Sequence, residues 1–185
     1  MREKLLDAAQ ALVQSRGLNA VSFQDLADSV GLKKPSVFHH FPSKDALAQS
    51  LLERCRTTYG ARYGEVLAQQ DLSAPKKLRR IAQIFDEALR EDKLCLLGAL
   101  GSSSSGFSEE LGNDLRETAN LSIERYATVF EEGKSAGTLK FKGSTRDAAT
   151  AFLSMLQGLQ VMARASGDLD SFSSAASSYI DSISA

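Results

Sequence analysis

The chain has 185 residues, 43% hydrophobic and 24% charged, with a net charge of −1, which suits a globular protein of one or two small domains. No apolar run approaches the ~20 residues of a membrane span, Met1-Arg2-Glu3-Lys4 reads as a charged helix start and not a signal peptide, and two cysteines make no disulfide framework, so a reducing cytoplasm is expected. The near-neutral charge excludes a generally sticky nucleic-acid binder but leaves room for a local basic edge.

Leu5, Leu6, Ala9, Leu12 and Val13 give a first helix its apolar stripe, and Gly17 ends it. Ser22 reads as the cap of a second helix, accepting from the N–H of Asp25, with Val21 stapled onto Leu26. Phe23, Leu26, Ala27 and Val30 form its apolar face, and Gly31 supplies the residue that tolerates positive φ past its end. Pro35 fits the first turn of a third helix, on which Val37, Phe38 and Phe41 form a second stripe. Two helices about a glycine turn make a helix-turn-helix unit, whose second helix lies in the DNA major groove. Its core is expected from Leu5, Ala9, Leu12, Phe23, Leu26, Val30, Val37, Phe41 and Leu47, few enough that the unit should lean on the remainder of the chain.

Where the third helix should have a capping acceptor there are two cations, Lys33 and Lys34. Lysine there opposes the helix dipole at a cost of about 0.3–1 kcal/mol. Open N–H groups beside positive charge form an anion site, and DNA phosphate is the obvious anion. Lys44, after the N-cap Ser43, repeats the arrangement. The alternative is that these are ordinary solvated lysines.

The run SFQDLADSVGLKKPSVFHHFPSKDALAQSLL, with LLDAAQALVQSRGLNAV before it, resembles the DNA-binding domain of the TetR family of bacterial repressors. The match runs through Ser22, Leu26, Ala27, Val30, Gly31, His40, Phe41, Ser43, Lys44 and Leu47 and covers the first third of the chain. Residues and resemblance together put Ser22, Lys33, Lys34, Pro35, Ser36, Phe38, His39, His40 and Lys44 at a double-stranded DNA operator. The family usually has Tyr at the position of Phe38, with its hydroxyl on a phosphate. Phe38 cannot donate, so His39 is expected to carry more of that work.

Beyond this head, a long helix is expected from Lys44 to about Gln70, interrupted only at Gly60 and Gly64. Leu78, Ile81, Ala82, Phe85 and Leu89 mark the next, and a short one comes after it around Leu94–Leu100. Ser108 caps a long helix through Leu111, Leu115, Ile123, Tyr126 and Phe130, ended by Gly133 and Gly137. Asp147 to about Ala165 and a stretch around Phe172–Ile183 complete an all-α chain. Ala148, Ala149 and Ala151 on one of these and Ser173, Ser174, Ala175, Ser177 and Ser178 on the other lie off the apolar stripes, where small side chains let helices approach closely. A helix-turn-helix protein reads two half-sites, so a homodimer on a palindrome is expected, paired through the last two helices; the resemblance implies the same. The expected division is 1–47 for DNA binding and 48–185 for effector binding and dimerisation.

For effector sensing the sequence offers Cys95. If Asp92 caps the short helix, the thiol falls in its first turn, near Lys93 and Arg90, where it would be activated. The segment also resembles the corresponding region of the N-ethylmaleimide-type subgroup of the family, in which a cysteine answers electrophiles or oxidants. The other reading makes Cys95 a small buried hydrophobe between Leu94 and Leu96. Phe85, Tyr126, Phe130, Phe152 and Met155 lie on faces expected to converge around a small-molecule effector. An enzyme is disfavoured: the only histidines, His39 and His40, are committed to the third helix. Neither metal-ligand spacing nor a phosphate loop is present, so no cofactor is expected. A helical enzyme using Cys95, or a protein-interaction module, is the alternative.

Overall fold

The computed structural model describes residues 1–185, the side chain of Tyr59 excepted. The α-helices, in chain order, are α1 (Arg2–Arg16), α2 (Phe23–Val30), α3 (Lys34–His40), α4 (Lys44–Arg54), α5 (Gly60–Ala68), α6 (Ala74–Arg90), α7 (Leu96–Gly101), α8 (Glu109–Ser135), α9 (Thr145–Ser166) and α10 (Asp170–Ile183). The fold is all-α, and a single isolated bridge, Leu139 to Ser184, is its only β-type pairing among the described residues.

The chain divides into two units. The first combines Met1–Tyr59 with Asp92–Thr118. In it α1 packs on α2, α4 and α7, and α2 packs on α3. Leu5, Ala9, Val13, Leu26, Val37, Phe41, Leu47 and Leu51 are buried at its centre, each large apolar side chain worth about 1.5–3 kcal/mol of transfer free energy. Leu12 and Val30, expected in this core, are only half-buried. The support expected for so small a head comes from the 92–118 segment. Gln14, 1% exposed, donates from Nε2 to the Leu94 carbonyl at 2.8 Å, and its own backbone carbonyl accepts from the Leu94 N–H at 3.0 Å. Asp45 accepts from the Ser108 N–H at 2.9 Å.

The helix expected from Lys44 to Gln70 changes character earlier than Gly60. Residues Cys55–Tyr59 form a π-helical turn, Gly60 opens α5 directly after it, and Gly64 lies inside α5 without breaking it. Arg56 is tied from this turn to the start of α8, through Thr118 Oγ1 at 2.7 Å and the Asp114 carbonyl at 2.9 Å. A wide turn of this kind carries no composition signal, and an inserted residue inside a helix often accompanies function.

The second unit combines Gly60–Glu91 with Ala119–Ala185. α10 packs on α6 and α9, α6 on α9, and α5 on α6. Gly133 does not end α8; it is buried within it. A Cβ there would meet Leu139 and come within 2.8 Å of Ala74 Cβ, so the residue is required by close approach. Gly137, at φ 67°, ends the helix instead, with Thr138 N–H closing onto the Gly133 carbonyl at 2.9 Å. Lys77, almost fully buried, donates to the Leu67 carbonyl at 2.9 Å and to Glu132 at 2.7 Å.

Candidate nucleic-acid interface

The α2–α3 pair owes its geometry to its ends. Asp25 N–H donates to Ser22 Oγ at 3.1 Å and Ser22 N–H donates to Asp25 Oδ2 at 2.7 Å, a reciprocal capping box. The Ser22 hydroxyl bond, ahead of the backbone one, holds the Asp25 carboxyl below its ordinary value of 3.8. At the other end Gly31 is left-handed, φ 71° and ψ 34°. Leu32 N–H reaches back to the Ala27 carbonyl at 2.9 Å and Gly31 N–H to the Asp28 carbonyl at 3.3 Å. That double closure satisfies the last carbonyls of α2 and sets the angle at which the chain turns into α3.

α3 buries Val37, while Lys33, Lys34, Pro35, Ser36, Phe38 and His39 are exposed, with His40 half-buried against His39 at 5.4 Å. Phe38 does not join the inward stripe expected of it. It is 45% exposed, because its position lies about 100° round the helix from Val37. Lys33 occupies the N-cap position with no side-chain cap, as its cationic character requires. The anion site expected at this end is poorer than the sequence suggests. Pro35 has no N–H, and the Ser36 N–H is taken by the Lys33 carbonyl at 2.9 Å, so this end offers fewer open N–H groups than expected and leans on the two ammonium groups. Lys44 also differs: its Nζ donates to the Asn19 and Leu18 carbonyls at 3.2 and 3.4 Å, closing the turn that leads into α2.

The expected effector residues fall into two places. Phe85, Tyr126, Phe130 and Phe152 meet in the second unit through a run of ring contacts. Tyr63 lies 6.0 Å from Phe85 and 5.9 Å from Tyr126, and Phe152 lies 6.3 Å from Tyr126 and 6.0 Å from Phe130. Met155 is half-buried one turn from Phe152. Tyr179 stacks on Phe152 at 6.3 Å, and burial pushes its phenol up. Cys95 belongs to the first unit. It is half-buried at the N-cap position of α7, not in its first turn. Asp92 does not cap that helix. It sits at φ 58°, and its carboxylate accepts from Ser15 Oγ at 2.8 Å.

One surface was read only in part from the sequence, which named Ala151 on it but took Ala148 and Ala149 in place of the residues beside it. Ala148 and Ala149 are buried within the chain. The exposed face of α9 is Ala151, Ser154, Gly158, Val161, Met162 and Ala165, with Val161 52% and Met162 66% exposed. Their i, i+3, i+4, i+7 spacing was visible opposite the Phe152–Leu156 stripe. Gly158 has nothing within 4 Å of where a Cβ would stand, so nothing inside the chain calls for a glycine there.

A capped helix, a left-handed glycine turn and a short helix begun by two lysines make up a helix-turn-helix unit, an arrangement found in DNA-binding regulators. Residues 5–51 match the family model described as bacterial regulatory proteins, tetR family. The KstR2 transcriptional repressor of Mycolicibacterium smegmatis is 35% identical over 140 residues, covering 75% of this chain and 67% of that one. The NemR repressor of Escherichia coli is 24% identical over 168 residues, covering 89% and 84%. A TetR-family regulator from Agrobacterium tumefaciens superimposes with a TM-score of 0.92 at 25% identity, covering 100% and 97%. The chain belongs to the TetR family of bacterial transcriptional regulators. Other KstR2 repressors match over less, the aligned part spanning only 33% to 40% of their length. Among the described residues no helix is long and apolar enough to cross a membrane.

Proposed function

We propose that this protein is a cytoplasmic, homodimeric repressor that holds a palindromic operator and is released by a small molecule or an electrophile. The observation that carries the reading is the exposed face of α3. Lys33 and Lys34 provide phosphate-seeking charge beside Ser36 and His39, on a helix whose direction is fixed by the Gly31 turn. Ser22, Pro35, Phe38, His40 and Lys44 complete the surface offered to DNA, with Lys44 exchanging its carbonyl partners for a phosphate. Residues 1–47 carry DNA binding and 48–185 carry effector binding and dimerisation.

Pairing is assigned to α9 and α10. Val161 and Met162 are large apolar side chains in solvent beside an open glycine, which favours a second helix crossing close to the backbone. Ser174, Ala175 and Ser178 extend the same small-residue character on α10. The aromatic group around Phe85, Tyr126, Phe130, Phe152 and Met155 is the effector site in this reading, and Cys95 the thiol sensor. Gln14 supports the second assignment: it clasps Leu94, next to Cys95, to α1, so an adduct there would strain the head itself.

Selection of bound fragments from random DNA, with a salt titration afterwards, tests the function. Binding to the selected palindrome should fall steeply with salt, with a slope in log K of about −0.9 for each phosphate neutralised. Lys34→Ala should reduce that slope by about one on every sequence, whereas His39→Ala should change the preferred bases. Failure to enrich any sequence at low salt would end the proposal.

A further inference from the structure

Phe38 is an apolar group in a place where charge and hydrogen bonds are expected. Leu32 before it is half-buried, Val37 beside it is fully buried, and Phe41 after it is buried. Phe38 alone among the large hydrophobic residues of α2–α4 stands outside, at 45% exposure. Exposing an aromatic ring costs hydrophobic free energy unless something covers it.

The ring is also held. Its edge-to-face partner is Phe23, at 4.8 Å between centroids and 77° between planes. Phe23 is itself buried as the first residue of α2. Lys34, one turn back on α3, places its ammonium 5.8 Å from the centre of the same ring, within cation–π range. Between Phe23 and this cation the ring keeps its orientation and presents only carbon and its hydrogens to solvent. It has no atom with which to bond a phosphate oxygen or a polar base edge. In the major groove the one apolar group that base pairs display is the C5-methyl of thymine.

Resting on the DNA-binding reading above, we infer that Phe38 is a specificity-determining residue that reads the 5-methyl group of a pyrimidine, thymine in ordinary DNA, in each half-site. Lys34 shares its ring, so a phosphate held by Lys34 sets how far the ring enters the groove. Phe38 thus acts on sequence choice where a hydroxylated aromatic at the same place would act on the backbone.

The test uses the full-length protein and a palindrome selected from random DNA. Each thymine of a half-site is replaced in turn by deoxyuracil, which deletes the methyl and keeps base pairing. One position should cost the natural protein roughly fourfold in affinity per half-site, the worth of about one buried methylene group, and about fifteenfold when both half-sites are changed. Phe38→Ala should bind the thymine and uracil operators equally, and Phe38→Leu should keep part of the discrimination. At a cytosine engineered into that position, 5-methylcytosine should bind the natural protein better than cytosine. A selected operator that tolerates every uracil would overturn the inference while leaving the DNA-binding reading intact. So would a uracil penalty that persists in Phe38→Ala, or a Phe38→Ala loss equal on selected and random DNA, which would assign the ring to the sugar–phosphate backbone. Absence of any selected sequence would instead remove the DNA-binding reading, and this inference with it.

Discussion

Gly158 gives the sharpest test of the proposed pairing, because the single chain and the dimer respond to its substitution with opposite signs. In the single chain a Cβ at this position meets nothing within 4 Å, and the residue lies well inside α9. Glycine in such a position costs about 1 kcal/mol of helix stability relative to alanine. Gly158→Ala and Gly158→Leu should therefore leave the protomer fold intact or slightly strengthened. In a dimer closed across this face, leucine would push apart two backbones that glycine lets approach. Overpacking of this kind costs typically about 1–3 kcal/mol per site, so about 2–6 kcal/mol for the symmetric pair, a rise in dimer dissociation constant of roughly thirtyfold or more. Sedimentation equilibrium over a dilution series reads the association, and far-ultraviolet circular dichroism reads the helix content. A Gly158→Leu protein as tightly dimeric as the natural one would refute pairing across this face, as would one that loses helix content instead of its partner.

Three further outcomes are expected from the packing. Gly133→Ala should destabilise the second unit by about 1–3 kcal/mol in denaturant titration, because its new methyl meets Leu139 and Ala74 Cβ; an unchanged midpoint would contradict the close approach. Gln14→Leu removes the buried donor to the half-buried Leu94 carbonyl and should cost about 1 kcal/mol, read as an earlier thermal transition; an unshifted transition would show that the clasp is idle. The Asp25 carboxyl titrates below its ordinary 3.8 because Ser22 donates to it. A depressed folded value means the stabilisation is present above the ordinary value and is lost as pH falls through the folded one. Ser22→Ala should accordingly lose less stability than the natural protein does on acidification from about pH 4 downward, and parallel acid titrations of the two would count against the capping box.

Particular residues separate what is local in this fold from what is not. Ser22, Gly31 and Ser43 announced their turns because capping and left-handed glycine are local chemistry, settled within three or four residues. Likewise the stripe Leu78, Ile81, Phe85 and Leu89 determined α6 and its buried face, since periodicity is a property of consecutive residues. These local rules were enough to give the helix order and the helix-turn-helix at the head. What only the tertiary structure decided depends on partners far along the chain. Asp92 looked like a cap until Ser15, 77 residues away, took its carboxylate. Lys44 looked like a free cation until the turn at Leu18 and Asn19 offered it two carbonyls. Gly133 looked like a helix end, and is there because Leu139 and Ala74 crowd its backbone. Phe38 was read into one stripe with Val37 and Phe41 because all three are apolar, whereas on the seven-residue α3 it lies about 100° round from the buried Val37 and stays 45% exposed, with its ring edge-to-face on Phe23.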